Sequence, residues 1–568
     1  MIGVLCKESE ARTVEEFFEL FKTPWEYYAP HRGYDVVIVT SEDIPQDPTI
    51  RALVIYNSNS IDFDLHLGVT AQLSEGTCEW LEWHGTEFPV YGKVAVLQSA
   101  GRQLLRRRQT LDTVCSIIGG AERPTVRIGL DLFHEASFLL CQGQPAENAL
   151  ITTLDIHISL LREIMLDLGV PFVEVPPAPA GYDFAACLTH DVDFVGIRDH
   201  KFDHTMWGFL YRCLIVSPLQ ALRGRLPWAK CLRNWAAALS LPLVYLGLRD
   251  DFWLEFARYV EIEKDLGSTF FFIPFKNAAG TKGSSPASAR RAAKYDVSQI
   301  KDHVLRLLRS GCEVGLHGID AWQDPRKARS ELGRMQEVAG QSVMGTRMHW
   351  LYWAEGSPRI LEEAGLAYDS TFGYNEAIGF RAGTTQPFCP LGAERLLELP
   401  LNIQDSSMFY TDRMKLSEAE ALNACKGLIR SAVSSGGALT VNWHTRSLSP
   451  ERLWGDFYAR LLQEIQKHRV WFGTAQELVG WFRNRRALRF HAVQFEENCV
   501  SVALRSSLRH FEPPVTLRTY HPRFVSDRSG LPVSMPAYTD TQWNGEKVLK
   551  IACDDPAGTF DGNARSFQ

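Results

Sequence analysis

The sequence predicts an α/β protein whose central region is a distorted (β/α) barrel, preceded by an α/β domain and followed by a small β-rich module. The main observation is that short apolar segments alternate with helical stretches from about 183 to 483. Repeated strand-then-helix units indicate a parallel sheet, and this many of them favour a barrel over an open sheet. The length of 568 residues also exceeds what one hydrophobic core usually organises, so two to four domains are expected.

The flanking regions are assigned by their own patterns. Residues 1–175 alternate short apolar segments with helical stretches, as expected of an α/β domain. This domain ends in a proline-rich stretch at 175–181 that cannot continue a helix and is predicted to be a linker. Residues 488–568 show the alternation of β-strands and form the predicted C-terminal module. Neither flanking region contains a motif that fixes its role.

The strands of the central region are predicted from its apolar segments. They are expected at 184–188, 269–274, 312–316, 343–349, 367–369, 395–401, 438–443 and 470–473. Helix starts are also marked: Asp324 and Ser449 each precede a proline, and Ser417 and Thr474 each stand three residues before a glutamate, as in a capping box. Because chemistry in such barrels gathers at the C-terminal ends of strands, the residues that follow each strand are the candidates for function.

An insertion at about 196–262 separates the first two predicted strands and is rich in aromatic and aliphatic residues. We expect it to be helical. We favour a lid or a second packing layer as its role, and the alternative is a surface that makes peripheral contact with a membrane or a lipid-linked substrate.

Charge and the N-terminal residues limit the partners and the compartment. The net charge of −7 gives no general affinity for nucleic acid or for anionic membranes, so no nucleic-acid partner is expected. The first ten residues include charged side chains before any signal-peptide core could form, and the expected location is therefore cytoplasmic. The longest apolar stretch, 235–248, is too short for a transmembrane helix.

The most informative motif is Thr-His-Asp-Val-Asp at 189–193, which closes the first apolar strand. Side chains alternate along a strand, so Asp191 and Asp193 face the same way. Two adjacent carboxylates repel unless a proton or a cation lies between them, and carboxylate oxygen together with imidazole nitrogen suits a divalent metal. From this segment alone, a helix-capping Asp191 beside an exposed Asp193 is an equal alternative.

Three later strands end in residues that suit the same chemistry. His317 lies in Leu-His-Gly, Arg347 lies two residues before His349, and His444 follows an apolar strand late in the barrel sequence. An arginine can pair with an aspartate and hold it ionised. Because a closed barrel brings late strands beside early ones, His444 can face Asp191, which suits a general acid.

These four segments, in this order, resemble the motifs of the polysaccharide deacetylase family, the NodB-like carbohydrate esterases. The resemblance covers about 183–483. The motifs together also look like those of a divergent bacterial branch of this family, in which an extra α/β domain precedes the NodB-like barrel. It implies a metal-dependent hydrolase that removes an N-acetyl group from an amino sugar. It also implies that Asp191 is the catalytic base, that Arg347 orients this base and that His444 is the general acid.

Two positions depart from the family pattern. Val192 stands where the family has its metal-binding aspartate, and Asp193 is the only nearby carboxylate able to substitute. The family also has two metal-binding histidines in one motif; His317 matches the first, but Ala321 stands at the place of the second.

The third metal ligand is therefore open among His190, His349 and Asp320. We rank His349 first because it alternates with Arg347 onto one side of the same predicted strand. The expected cofactor is a divalent metal, which the resemblance implies is zinc. Its expected ligands are Asp193, His317 and His349.

The resemblance also indicates substrate contacts. Arg381 lies in Gly-Phe-Arg-Ala-Gly near the mouth, Asp369 falls where the family begins a pocket-shaping motif, and Trp443 precedes the general acid. The expected partner is an N-acetylated sugar or glycan precursor. Because two motif positions depart from the pattern, a glycan-binding pseudoenzyme without hydrolytic activity is the alternative, and a hydrolase of non-sugar amides is a third possibility.

Overall fold

The structure is a computed structural model that describes residues 1–74, 78–119, 123–224, 226–496, 499–506, 511–526, 532–543, 545–546 and 548–552. The chain divides into two compact units. The first unit contains Met1–Leu132, His157–Pro176 and Arg483–Gln568, and the second contains Phe133–Ile156 and Pro177–Phe482. The expected linker lies at a boundary of these units, but the C-terminal strands belong to the first unit instead of forming a separate module.

The first unit is built on a mixed sheet of nine strands in the described part of the chain. Its parallel strands, in spatial order, are Trp25–Tyr27, Ile2–Leu5, Val36–Val39, Leu53–Tyr56 and Thr125–Ile128. Its antiparallel strands continue the sheet as Thr113–Ile118, Arg102–Arg107, Glu79–Trp83 and Thr86–Val90. The helices Ala11–Leu20 and Phe63–Leu67 and most of the helix Thr153–Asp167 belong to this unit, whereas the helix Leu132–Cys141 lies almost entirely in the second.

Smaller antiparallel sheets complete the first unit. Their strands are Thr70–Leu73 with Ala95–Gln98; Phe172–Glu174 with Val515–Ser526 and Pro532–Trp543; and Arg489–Phe495 with Cys499–Arg505 and Val548–Ala552. The pairing of Phe172–Glu174 with Val515–Ser526 gives the physical reason why the C-terminal strands belong to this unit.

The second unit contains a curled parallel sheet. Within the described residues its strands, named in chain order, are β1 (Phe184–Val192), β2 (Ser268–Phe272), β3 (Glu313–Gly318), β4 (Thr346–Met348), β5 (Tyr368–Asp369), β6 (Leu397–Glu398), β7 (Ile403–Gln404), β8 (Ala438–Asn442) and β9 (Val470–Phe472). Their spatial order is β6-β5-β4-β3-β2-β1-β8-β7, and β9 pairs with the first residues of β1. Every one of these pairings is parallel. The predicted α/β class and distorted barrel are confirmed.

The barrel is open between β6 and β7, since no strand pairing joins them in the described ranges. Two strands are shorter than predicted, and one of them borders this seam. The segment expected as one strand at 395–401 pairs only at 397–398 before it leaves β5 and crosses toward β8. The strand expected at 343–349 is restricted to 346–348.

Helices follow most strands of the second unit. They are His204–Tyr211, Ser217–Leu222, Trp228–Tyr245, Phe256–Ile262, Lys301–Arg309, Pro325–Ala339, Ser357–Ala364, Asp405–Phe409, Glu418–Ser435, Gly455–Ile465 and Ala475–Ala487. The first four lie in the insertion at 196–262, which confirms its helical character. None of the helices in the described ranges has both the length and the apolar character needed to cross a bilayer.

The predicted helix starts are mostly correct. Asp324 caps its helix, and Ser417 and Thr474 each form reciprocal bonds with the glutamate three residues on. The start predicted at Ser449 is wrong, because the next helix begins at Gly455. The intervening residues form a loop in which the carboxylate of Glu451 binds side chains from other segments.

Replacement of Asp324 by alanine tests the capping assignment. The Asp324 side chain accepts hydrogen bonds from the backbone N–H groups of Arg326 at 2.8 Å and Lys327 at 3.4 Å. We expect Asp324→Ala to lower the free energy of unfolding by about 1 kcal/mol, measured by denaturant unfolding. Asp62→Ala is the matched control, because Asp62 precedes a helix without a side-chain capping bond. Equal losses in the two variants would contradict the assignment.

Candidate metal centre

The two aspartates at the end of β1 face the same side, as predicted. The Oδ2 atom of Asp191 lies 3.9 Å from the Nε2 atom of His317, and the Oδ1 atom of Asp193 lies 3.3 Å from the same nitrogen. His317 is on β3, which is separated from β1 by β2 in the sheet. The curl of the sheet therefore brings both carboxylates to one imidazole.

Arg347 on β4 binds Asp191 directly. Its Nη1 atom donates to the Oδ1 atom of Asp191 at 3.1 Å and to the hydroxyl of Thr189 at 2.7 Å. Its Nε and Nη2 atoms donate to the carbonyl and hydroxyl oxygens of Ser370 at 2.9 and 2.8 Å. Burial alone would raise the pKa of Asp191, but nearby positive groups, led by the Arg347 guanidinium, hold it below its usual range. Asp191 is therefore ionised.

Asn442 at the end of β8 is a second partner of Asp191. Its Nδ2 atom donates to the Oδ2 atom of Asp191 at 2.7 Å, and its Oδ1 atom accepts from the Asp191 backbone N–H at 3.2 Å. The sequence analysis missed this residue. The available clue was the alternation along the predicted strand, which places Asn442 and Thr440 on one face.

Asp193, His317 and His349 form a cluster that could hold a metal ion. Their potential ligand atoms all lie within 4.8 Å of one another. The Oδ1 atom of Asp193 is 3.3 Å from the Nε2 atom of His317 and 3.4 Å from the Nε2 atom of His349. The three residues are the ligands expected from the sequence.

The hydrogen bonding of this cluster fits a divalent cation. The Nδ1 atom of His317 lies 2.9 Å from the carbonyl oxygen of Arg347, so Nδ1–H donates there and Nε2 is the nitrogen that faces Asp193. Burial lowers the pKa of His349 to about 3, so the His349 ring is neutral. The Oδ1 atom of Asp193 is buried and has no hydrogen-bond partner in the described part of the structure. One carboxylate and two imidazoles are a ligand set that suits zinc.

The other two candidates for the third ligand lie elsewhere. The ring nitrogens of His190 contact the carbonyl of Trp443 at 2.8 Å and the carboxylate of Glu263 at 3.0 Å. Asp320 accepts the backbone N–H of Thr281 at 2.8 Å. His190 lies one position from Asp191 on β1, so its side chain points to the opposite face of the sheet.

Contrary to the expectation from the sequence, His349 does not lie on the same strand as Arg347. The strand β4 ends at Met348, and His349 begins the 3-10 turn His349–Leu351. Within this turn Trp350 has a positive φ of 64°. The turn bends the chain inward, and this bend brings the His349 ring to Asp193.

His444 faces the cluster of Asp193, His317 and His349 from the other side. Its Nε2 atom is 3.8 Å from the Oδ2 atom of Asp193, and its Nδ1 atom is 2.6 Å from the Oδ1 atom of Asp405. Burial alone would lower the pKa of His444, but the Asp405 carboxylate outweighs it and the pKa lies well above its ordinary value. His444 is therefore an imidazolium whose Nε2–H points toward the cluster.

Asp405 was not identified in the sequence. Its buried carboxylate also accepts from the backbone N–H of His444 at 2.8 Å and from the hydroxyl of Ser447 at 2.5 Å. It directly follows β7, a strand of only two residues, so no strand pattern marked it. Asp405 nevertheless lies at the C-terminal end of a barrel strand, which is where the functional residues of such barrels gather.

Trp443, expected to contact substrate, lies in the aromatic core. It is fully buried and stacks on Phe457 and Tyr458 with ring centroids 5.8 and 4.9 Å away. Because side chains alternate along an extended chain, Asn442 points to Asp191 and Trp443 points away from it. A direct substrate contact by the Trp443 ring is therefore incorrect in this structure.

Asp369 is also placed behind the site. It is buried beside Glu398 and accepts from the backbone N–H of Ser370 at 2.8 Å and the hydroxyl of Thr371 at 2.5 Å. Burial raises the pKa of Asp369 to about 6 and that of Glu398 well above its usual range, so these two carboxyl groups share a proton. Asp369 thus supports the segment that binds Arg347 and presents no open face to a substrate.

Arg381 is held by its own surroundings. Its Nη1 atom donates to the carbonyl of Gly373 at 3.1 Å, and its guanidinium lies 4.4 Å from the centre of the Phe372 ring. No hydrogen bond or ion pair joins it to Asp191 or Asp193 in the described ranges. Its role in substrate binding stays a prediction.

Comparison with known proteins gives structural matches alone: no family model and no curated protein matches the chain. A polysaccharide deacetylase candidate from Mycobacterium smegmatis matches with 19% identity and a TM-score of 0.34 over 55% of this chain and 95% of its own. Agd3, described as a novel carbohydrate deacetylase, matches with 9% identity and a TM-score of 0.39 over 98% of both chains. Puue allantoinase matches with 15% identity and a TM-score of 0.35 over 54% of this chain and 92% of its own. At these identities and scores a likeness does not indicate a shared activity.

Substitution of His349 tests the ligand set. We expect the purified protein to bind about one divalent ion, and His349→Ala to weaken zinc binding at least about tenfold in equilibrium dialysis, because one of three protein ligands is lost. Asp320→Asn is the control, since Asp320 was a candidate ligand that the structure places outside the cluster. Unchanged zinc affinity in folded His349→Ala, or a loss in Asp320→Asn instead, would contradict the assignment.

Proposed function

We propose that the chain is a metal-dependent hydrolase of the polysaccharide deacetylase type that removes an N-acetyl or other N-acyl group from an amino sugar. The observation that carries this proposal is the convergence on Asp193 of three imidazoles, those of His317, His349 and His444, next to a separately paired Asp191. A base, an acid and a metal cluster thus lie within one small space. Metal-assisted amide hydrolysis uses these three parts together.

The cluster of Asp193, His317 and His349 is the proposed metal site, and zinc is the proposed ion. A divalent ion held by these residues polarises an acyl carbonyl and lowers the pKa of water. The protein supplies the Nε2 atom of His317, the neutral imidazole of His349 and a carboxylate oxygen of Asp193 that lacks any hydrogen-bond partner in the described structure. The ligand side chains are buried or half-buried, which restricts their motion.

Asp191 is the proposed general base. It accepts a proton from the attacking water, which requires that it be ionised before the reaction. The guanidinium of Arg347 and the amide of Asn442 bind different oxygen atoms of this carboxylate, so its charge and orientation are both fixed. The pKa of Asp191 below its usual range agrees with this role.

His444 is the proposed general acid. An amine anion is a poor leaving group, so the nitrogen of an amide must be protonated as the C–N bond breaks. The Nε2–H of His444 points toward the cluster, while Nδ1–H donates to Asp405 and keeps the ring charged. The same dyad recharges when solvent returns the proton to Nε2.

Acetate release from small N-acetylated sugars tests the function. We expect zinc-loaded protein to release acetate from N-acetylated oligosaccharides, and Asp191→Asn to lower kcat at least about 100-fold while it keeps its zinc, because the base is lost. Asp320→Asn is again the control. Zinc-loaded protein that binds these sugars without releasing acetate would contradict the proposal and favour a glycan-binding pseudoenzyme. Acetate release from simple amides, without release from N-acetylated sugars, would indicate a hydrolase of non-sugar amides.

A comparison of amide and ester substrates isolates the acid. We expect His444→Gln to lose at least about 100-fold in kcat on an N-acetyl sugar but much less on an activated acetate ester, whose leaving group needs no proton. Asp405→Asn should show the same selectivity to a smaller degree, because the neutral amide no longer holds His444 protonated. Equal losses on amide and ester would show that these residues act on structure or binding instead.

A further inference from the structure

The insertion at 196–262 exposes an extended apolar surface, which we call the outer face. Its members on the helical segments between 204 and 222 are Trp207, Tyr211, Leu214, Ile215, Leu219 and Leu222, and those on the helix Trp228–Tyr245 and just after it are Trp228, Leu232, Leu239, Leu243 and Leu246. Leu239 is 81% exposed and Leu222 is 71% exposed. Monomeric soluble proteins rarely expose so many large apolar side chains together, and such patches mark interaction sites.

The outer face is distinct from the core that holds these helices together. Phe209, Cys213, Leu241, Val244 and Trp253 belong to a buried apolar cluster on the inner side of the same helices. A surface helix is normally apolar toward its core and polar toward solvent. Here the helices of the insertion are apolar on both sides. The packing layer expected from the sequence explains the apolar residues on the inner side, but not those of the outer face.

Within the segment that carries the outer face, the charged residues are all basic. Between 204 and 249 the sequence contains no aspartate or glutamate, although the whole chain carries a net charge of −7. The basic residues of this stretch are Arg212, Arg223, Arg225, Lys230, Arg233 and Arg249. Lys230 pairs with Asp456 at 2.7 Å, whereas Arg223, Arg233 and Arg249 are exposed.

We propose that the outer face docks onto an anionic lipid bilayer. Leucine side chains at this face would enter the boundary between headgroups and acyl chains, which removes their apolar surface from water. Exposed arginines beside them would bind lipid phosphates, and tryptophan and tyrosine are the residues that favour this interfacial depth. The local positive charge explains how a chain that is acidic overall can bind an anionic surface through one segment.

A second copy of the chain is a less suitable occupant. A two-fold contact through the outer face would place the same surface of both copies together. Because the segment 204–249 has arginines and no carboxylates, such a contact would bring like charges of this segment together. An anionic bilayer supplies both the apolar interior and the negative charge that the outer face lacks.

The inner side of the insertion also contacts the segment that carries the proposed acid. The hydroxyl of Tyr259 donates to the carbonyl of His444 at 2.8 Å, and the guanidinium of Arg446 lies 3.9 Å from the centre of the Trp253 ring. Bilayer docking does not depend on the hydrolase activity, and a binding measurement tests it separately.

Vesicle sedimentation of the full chain tests the apolar contact. We expect binding to vesicles of phosphatidylcholine with phosphatidylglycerol, and at least about tenfold weaker binding of the double variant Leu232→Glu/Leu239→Glu, because charge opposes entry into the bilayer. Leu65→Glu is the matched control, since Leu65 is 83% exposed but lies in the first unit. Absence of binding, or binding that is equally weak in the control, would overturn the proposal.

The basic residues are tested by lipid composition and salt. We expect Arg223→Gln/Arg233→Gln to reduce the preference for phosphatidylglycerol, and added salt to weaken binding of the unchanged protein, because exposed charge pairs are screened. Arg326→Gln is the control, because Arg326 has a side chain that is 90% exposed on another helix. A stable dimer in solution that Leu232→Glu/Leu239→Glu dissociates would instead identify a second copy as the occupant and overturn the bilayer proposal.

Discussion

The site depends on the ion pair between the buried guanidinium of Arg347 and the carboxylate of Asp191. A charge without solvent must be compensated by hydrogen bonds or an opposite charge. Arg347 obtains both from Thr189 and Asp191 on β1 and from Ser370 after β5. The Arg347 side chain thus connects the ends of β1, β4 and β5. Its positive charge compensates the carboxylate of Asp191 and not that of Asp193.

The two aspartates at the end of β1 differ in environment although they are two residues apart. Asp191 is paired with a permanent cation, whereas Asp193 faces imidazoles and keeps an oxygen without a hydrogen-bond partner in the described residues. The first environment suits a base that must be ionised, and the second suits a cation ligand. Asp405 adds the third environment, in which a buried carboxylate keeps His444 charged. The proposed roles therefore rest on the partners of each carboxylate and not on residue type.

The sequence predicted the parts of the site that follow long apolar strands. The alternation along β1 placed both aspartates on one face, and the barrel topology placed His444 opposite them. Asp405 was missed because β7 has two residues and shows no alternation. Trp443 was expected to contact substrate, but Asn442 points inward, so the alternation along the chain turns the Trp443 ring into the core. Short strands and register therefore limited the prediction, while fold class and strand ends did not.

The most direct measurement is a crystal structure of the protein soaked with zinc, with anomalous diffraction recorded at the zinc absorption edge. We expect one strong peak at about 2.0–2.2 Å from a carboxylate oxygen of Asp193 and from the Nε2 atoms of His317 and His349. The Oδ1 atom of Asp191 should remain bound to Arg347. A peak elsewhere, no peak at this cluster, or Asp191 replacing Asp193 as a ligand would contradict the division of roles between the two aspartates.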